Sequence, residues 1–142
     1  WFELLVTASY LGVATGLIEA LYRRPRYSAD ERMRAVVELE TSAAALRGMA
    51  ADMERLAEPD AKPDDGERVV AHLLMVRYGI QEAISRAVSQ AAELMGGIRF
   101  VTDPEVEYRL AAVRALAFHP PSKLSVGSAL DAYISGESLQ LV

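Results

Sequence analysis

Apolar residues recur at steps of three and four along most of this chain, and no run of strict strand alternation interrupts them. The first apolar block predicts a helix from Phe2 to Arg23, stopped by Pro25, which has no N–H for the helix ladder and disfavours helical geometry just before itself. A second helix is predicted to open at Ser28. Ser28 and Glu31 have the spacing of a capping box, and Val36, Leu39, Ala43, Leu46, Ala50, Met53 and Ala57 follow as one apolar stripe. The residues from Glu58 to Gly66, with two prolines and four acids, read as an exposed loop.

A third helix is expected from Glu67 to Met95. Leu73, Val76, Ile80, Ile84, Ala87, Ala91 and Leu94 line one side, and Leu74, Met75 and Val88 widen the stripe, so this helix should be the most buried. Gly96-Gly97 closes it, since glycine adopts the left-handed conformation that ends many helices. Asp103 as N-cap and Pro104 in the first turn open a fourth helix reaching Phe118, where His119-Pro120-Pro121 ends it. A short last helix covers Leu124 to Ile134. Long helices joined by short loops predict an all-α, up-down four-helix bundle with a short extra C-terminal helix, one domain over residues 1–142.

Composition narrows the classes of function. The net charge is −5 and the arginines are scattered, which offers no basic face for nucleic acid. There is no cysteine, so disulfides, thiolate metal sites and cysteine nucleophiles are excluded, in keeping with a cytoplasmic protein. The uncharged stretch Leu4–Ile18 is shorter than the ~20 residues of a membrane span and carries several hydroxyls; a buried helix is expected rather than a membrane segment. Gly12 and Gly16 lie four apart on one face, a spacing that predicts close helix packing. A chain starting at Trp1 is expected to belong to a longer product.

Candidate chemistry is sparse. His72 lacks an acid or histidine at metal-ligand spacing. Ser122 and Ser125 beside His119 read as helix caps rather than nucleophiles. Glu105 and Glu107 fall in a first helical turn, where they favour the helix dipole. His119 stands where a side chain can face a cleft, and equally where a polar residue simply ends a helix. Gly96-Gly97 would let a phosphate approach the backbone, and equally ends a helix. From the residues alone, an enzyme part and an assembly bundle remain equally open.

The segment from Gln90 to Phe100, QAAELMGGIRF, resembles the acyl-CoA dehydrogenase element in which a long helix ends in Gln-x-x-Gly-Gly before an aromatic turn. Tyr10 to Ala14 is similar to the Val-Gly-Leu-Ala core of that superfamily's first C-terminal helix, and Arg24 with Tyr27 to its Arg-x-x-Phe-Gly. The resemblance implies a C-terminal helical bundle of an oxidoreductase that binds FAD partly across a subunit interface, works on an acyl-CoA or other acyl thioester, and forms a dimer or tetramer. Carried over, Arg24, Glu93, Gly96 and Gly97 would lie near FAD, with Glu93 standing for the family's Gln. The family's Arg-Asp falls on Ala111-Ala112, and the following Arg survives as Arg114. Its catalytic glutamate in Tyr-Glu-Gly-Thr falls on Pro120, with His119 on the Tyr, and proline is no base. Some members carry the base on the first helix, where Glu3 lies one residue from the matching position. His119-Pro120 also resembles flavin monooxygenases built on this fold, in which His119 would face the flavin and handle protons. The expectations are therefore a dehydrogenase with Glu3 as base and His119 near the flavin, a monooxygenase using His119, or a non-catalytic partner subunit.

Overall fold

The computed structural model describes residues 1–23 and 27–141. Among these the elements are α1 (Phe2–Tyr22), α2 (Ala29–Arg55), α3 (Asp65–Met95), α4 (Gly97–Thr102), α5 (Pro104–Arg114), a 3₁₀ turn (Ala115–Phe118) and α6 (Lys123–Ile134), with no strand. The class is all-α, as the periodicity requires. The helices α1, α2, α3 and α5 pack side by side around one core, and α6 lies against α3 outside it.

The caps behave as the sequence dictates. The Ser28 side chain accepts from the Glu31 backbone N–H while Glu31 reaches back to the Ser28 N–H at 2.9 Å, so both orphan donors of the first turn are met. Asp103 caps α5 through the Glu105 N–H, with Pro104 opening the helix. Ser122 caps α6 through the Ser125 N–H, which is the capping role expected of that serine pair. On α2 the fully buried line is Ala35, Leu39, Ser42, Leu46 and Met49. Val36, Ala43, Ala50 and Met53 flank it, and Ala57 falls beyond the helix end.

Helix α3 is buried on two sides. Leu73, Ile80, Ile84, Ala87, Val88 and Ala91 enter the main core against Leu11, Leu17, Leu21, Leu39 and Leu46. Ala71, Leu74 and Tyr78 face a second cluster closed by Val126 and Leu130 of α6. The width of the apolar stripe therefore has a cause: one helix serves two layers.

Four details differ from the expectation. Helix α3 begins at Asp65, a turn-edge earlier than Glu67. The residues after Gly96 wind into α4, a short helix the pattern did not announce. The fourth predicted helix tightens into a 3₁₀ turn after Arg114. By length and composition the whole of α1 does suffice to cross a membrane. Its Leu4, Leu11, Leu17 and Leu21 side is nevertheless spent on the bundle core. Gly16 does permit close packing, but with a side chain: a Cβ there would meet the Arg109 guanidinium at 2.5 Å, whereas Gly12 opens onto free space.

Candidate functional site

Three segments meet at one end of the bundle: the first turn of α1, the middle of α3, and the His119-Pro120-Pro121 corner. Helix α1 places Phe2 and Glu3 there. The corner is brought over them by the 3₁₀ turn, which buries Leu116 fully and leaves Phe118 exposed.

The residue that joins the three is Arg77, whose side chain is 0% exposed while that of Glu3 is 18% exposed. Its Nη1 donates to the Pro121 carbonyl at 2.7 Å and lies 3.0 Å from Glu3 Oε2, an ion pair rather than an aligned hydrogen bond. Its Nη2 donates to the His119 carbonyl and more weakly to the Leu116 carbonyl at 3.4 Å. The Tyr78 hydroxyl donates to the same Pro121 carbonyl at 3.0 Å. Burial pushes the Tyr78 phenol above its ordinary pKa, while the adjacent Arg77 charge pulls against that shift. The phenol is therefore a fixed neutral donor.

The His119 ring packs on Phe2, with centroids 5.3 Å apart and planes tilted by 46°. Its Nδ1 is 3.1 Å from the Pro120 carbonyl. A carbonyl only accepts, so in this contact Nδ1 is the donor, and a singly protonated ring has its lone pair on Nε2. The corner thus presents the second imidazole nitrogen, Nε2, close to a carboxylate already engaged by a guanidinium.

The sequence candidates divide between the middle of α3 and its C-terminal end. Glu3 and His119 come together at the corner. Glu93, Gly96 and Gly97 lie at the C-terminal end of α3, roughly 27 Å along the axis from Arg77 at 1.5 Å per residue. Arg24 lies outside the described residues. Gly96 has φ 84° and ψ 158°, a positive-φ conformation as expected but extended rather than the left-handed helical closure. A Cβ at Gly96 or Gly97 would meet nothing within 4 Å, and Glu93 is exposed. This turn offers a phosphate-bearing group one open wall, while the Gly96 N–H is itself bonded to the Ala92 and Glu93 carbonyls. His72 is exposed, and no cluster of metal-ligating side chains occurs among the described residues.

Two further surfaces border these ends. A groove of about 640 Å³ runs between α3 and α5, lined by Gln81, Ser85, Ser89, Arg114 and Phe118 among others. Arg114 thus faces this groove and not the corner. A smaller polar cleft of about 260 Å³, with Arg23, Arg99 and Asp103 in its wall, lies at the Gly96 end.

Arg77 escaped the sequence reading, and Phe2 entered it only as the position matching the first-helix base, not as a ring under His119. A signal for Arg77 existed: it stands four residues after Leu73 and three before Ile80, a charge set on the stripe predicted to be most buried.

The chain is 36% identical over 141 residues to isobutylamine N-hydroxylase of Streptomyces viridifaciens. That similarity takes in 99% of this chain and 35% of that protein, so the chain spans about a third of the relative's length. No protein-family model matches the chain, and no solved structure matches it.

Proposed function

We propose that this chain is the C-terminal helical part of a flavin-dependent N-hydroxylase that oxygenates the nitrogen of a small primary aliphatic amine. The observation that carries this reading is similarity to isobutylamine N-hydroxylase along practically the whole chain. The corner geometry supports it. The position of the dehydrogenase base is Pro120, and Glu3, the remaining candidate base there, is tied to Arg77.

When bound, a reduced flavin would supply the chemistry: two electrons to divide dioxygen, with one oxygen atom for the amine nitrogen and the other for water. Every other task falls on residues of the protein. An aliphatic amine resembles a lysine ammonium, with a pKa of about 10.4, and arrives protonated at neutral pH. In that form its nitrogen has no lone pair with which to bond oxygen. His119 Nε2 accepts the ammonium proton and so generates the reactive amine. The exposed rings of Phe2 and Phe118 offer apolar surface for an alkyl chain beside it. Gly96 and Gly97, with Arg24, would hold the phosphate-bearing end of the flavin through open backbone and charge. Assembly as a dimer or tetramer would bring the corner and the Gly96-Gly97 end of α3 to flavin sites shared between subunits.

The test is an assay of the full protein carrying this chain, with photoreduced flavin, ¹⁸O₂ and isobutylamine. Mass spectrometry is expected to find the N-hydroxylamine with one labelled oxygen. Anaerobic bleaching of the flavin by acyl-CoAs, with no hydroxylamine formed from any primary amine of two to six carbons, would instead establish the dehydrogenase.

A further inference from the structure

We propose that Arg77 is a positioning residue: it clamps the His119-Pro120-Pro121 corner so that His119 is held against Phe2 and offers Nε2 outward. The catalytic consequence rests on the N-hydroxylase reading, whereas the geometry does not.

Arg77 touches backbone on both sides of Pro120. It donates to the His119 carbonyl and, at 2.7 Å, to the Pro121 carbonyl, and a weaker bond reaches the Leu116 carbonyl within the 3₁₀ turn. Prolines at 120 and 121 already restrict φ at both positions. With the flanking carbonyls fixed, what remains free at the corner is the rotation of the His119 side chain. The Phe2 ring and the Pro120 carbonyl then select its orientation and its protonated nitrogen.

The other contact of Arg77 ties this corner to its neighbour. Glu3, 3.0 Å from Nη1, is one residue from Phe2 on the first turn of α1. One guanidinium therefore holds both the histidine's backbone and the turn that carries the ring beneath it. Phe2 from α1 meets the His119 ring and Arg77 from α3 its carbonyl, while Glu3 and the neutral Tyr78 phenol join the corner through Arg77 and the Pro121 carbonyl.

Burying an arginine is a poor way to gain stability, because desolvation of the two ions offsets most of their attraction. What it gives here is geometry. A planar fork can bond three carbonyls in fixed directions, and a lysine ammonium cannot reproduce that arrangement.

The experiment is diethyl pyrocarbonate labelling of the full protein, with His119 and His72 followed separately by peptide mass spectrometry. The reagent acylates an unprotonated ring nitrogen, and the measurement needs neither flavin nor turnover. In Arg77→Met and in Phe2→Ala, His119 is expected to react several-fold faster than in the wild type while exposed His72 keeps its rate. Arg77→Lys should fall between. Equal His119 rates in the wild type, Arg77→Lys and Phe2→Ala would overturn the proposal; those two variants decide the matter if Arg77→Met does not fold. Where the protein hydroxylates amines, Arg77→Lys should lower kcat with KM little changed and move the acidic limb of the pH profile, which a purely structural loss would leave in place. A labelling difference without any amine hydroxylation would uphold the clamp and sink only its catalytic consequence.

Discussion

Arg77 Nη1 and Glu3 Oε2 meet 3.0 Å apart, joining the middle of α3 to the first turn of α1. The pair accounts for why a carboxylate placed near a plausible basic position does not stand free. It also fixes an energetic expectation. Removing one partner of a buried pair leaves the other uncompensated, which costs about 3–5 kcal/mol where burial is complete. Glu3 retains some solvent contact, so the loss for Arg77→Met should lie at or below the lower end, with Arg77→Lys milder. Urea denaturation midpoints measure both.

Glu3 and His119 are expected to separate in function. His119→Gln should lower kcat/KM for amine hydroxylation by roughly 10²–10⁴, the usual worth of a positioned proton acceptor. Glu3→Gln keeps an oxygen beside Arg77 and should retain most of that activity. A Glu3→Gln enzyme as impaired as His119→Gln would return the carboxylate to the chemistry. Steady-state kinetics with isobutylamine distinguishes the two results.

The two adjacent glycines at the end of α3 should respond differently to the same change. Gly96 holds φ 84° with ψ 158°, a region closed to residues with a Cβ, so Gly96→Ala should cost about 1–3 kcal/mol even though open space surrounds it. Gly97 begins α4 without positive φ, and Gly97→Ala should be neutral or slightly stabilising. Thermal melts of the two variants provide the comparison.

The capping box of α2 predicts a pH dependence. Hydrogen bonds from the Ser28 side chain and backbone hold the Glu31 carboxyl below its ordinary pKa. A group whose folded pKa is depressed contributes its stability above the unfolded pKa and loses it as pH falls through the folded value. Glu31→Ala should therefore destabilise the protein at pH 7, and the difference should narrow below roughly pH 4, the ordinary carboxylate range. Arg99 lowers Asp103 and Lys123 lowers Glu82 in the same direction, so the wild type too should weaken in acid. Urea midpoints of both proteins across pH 7 to about pH 3 test the sign.

The sequence by itself determined the local structure. Steps of three and four set the helices, the Ser28–Glu31 and Asp103–Pro104 pairs set where two of them start, and the broad stripe of α3 announced the most buried element. These features lie within a few residues of one another, and the forces concerned act over one or two helical turns. Tertiary structure decided the rest. Which side of α3 meets α6, and whether Gly16 seats a helix or the Arg109 side chain, depended on segments far apart in the chain. The same holds for the corner. Arg77, Glu3 and His119 come from three elements, and periodicity assigns a residue to a face without saying what that face will meet. Only the packed bundle brings a buried guanidinium to three carbonyls and a carboxylate, because only there does desolvation leave it no other partners.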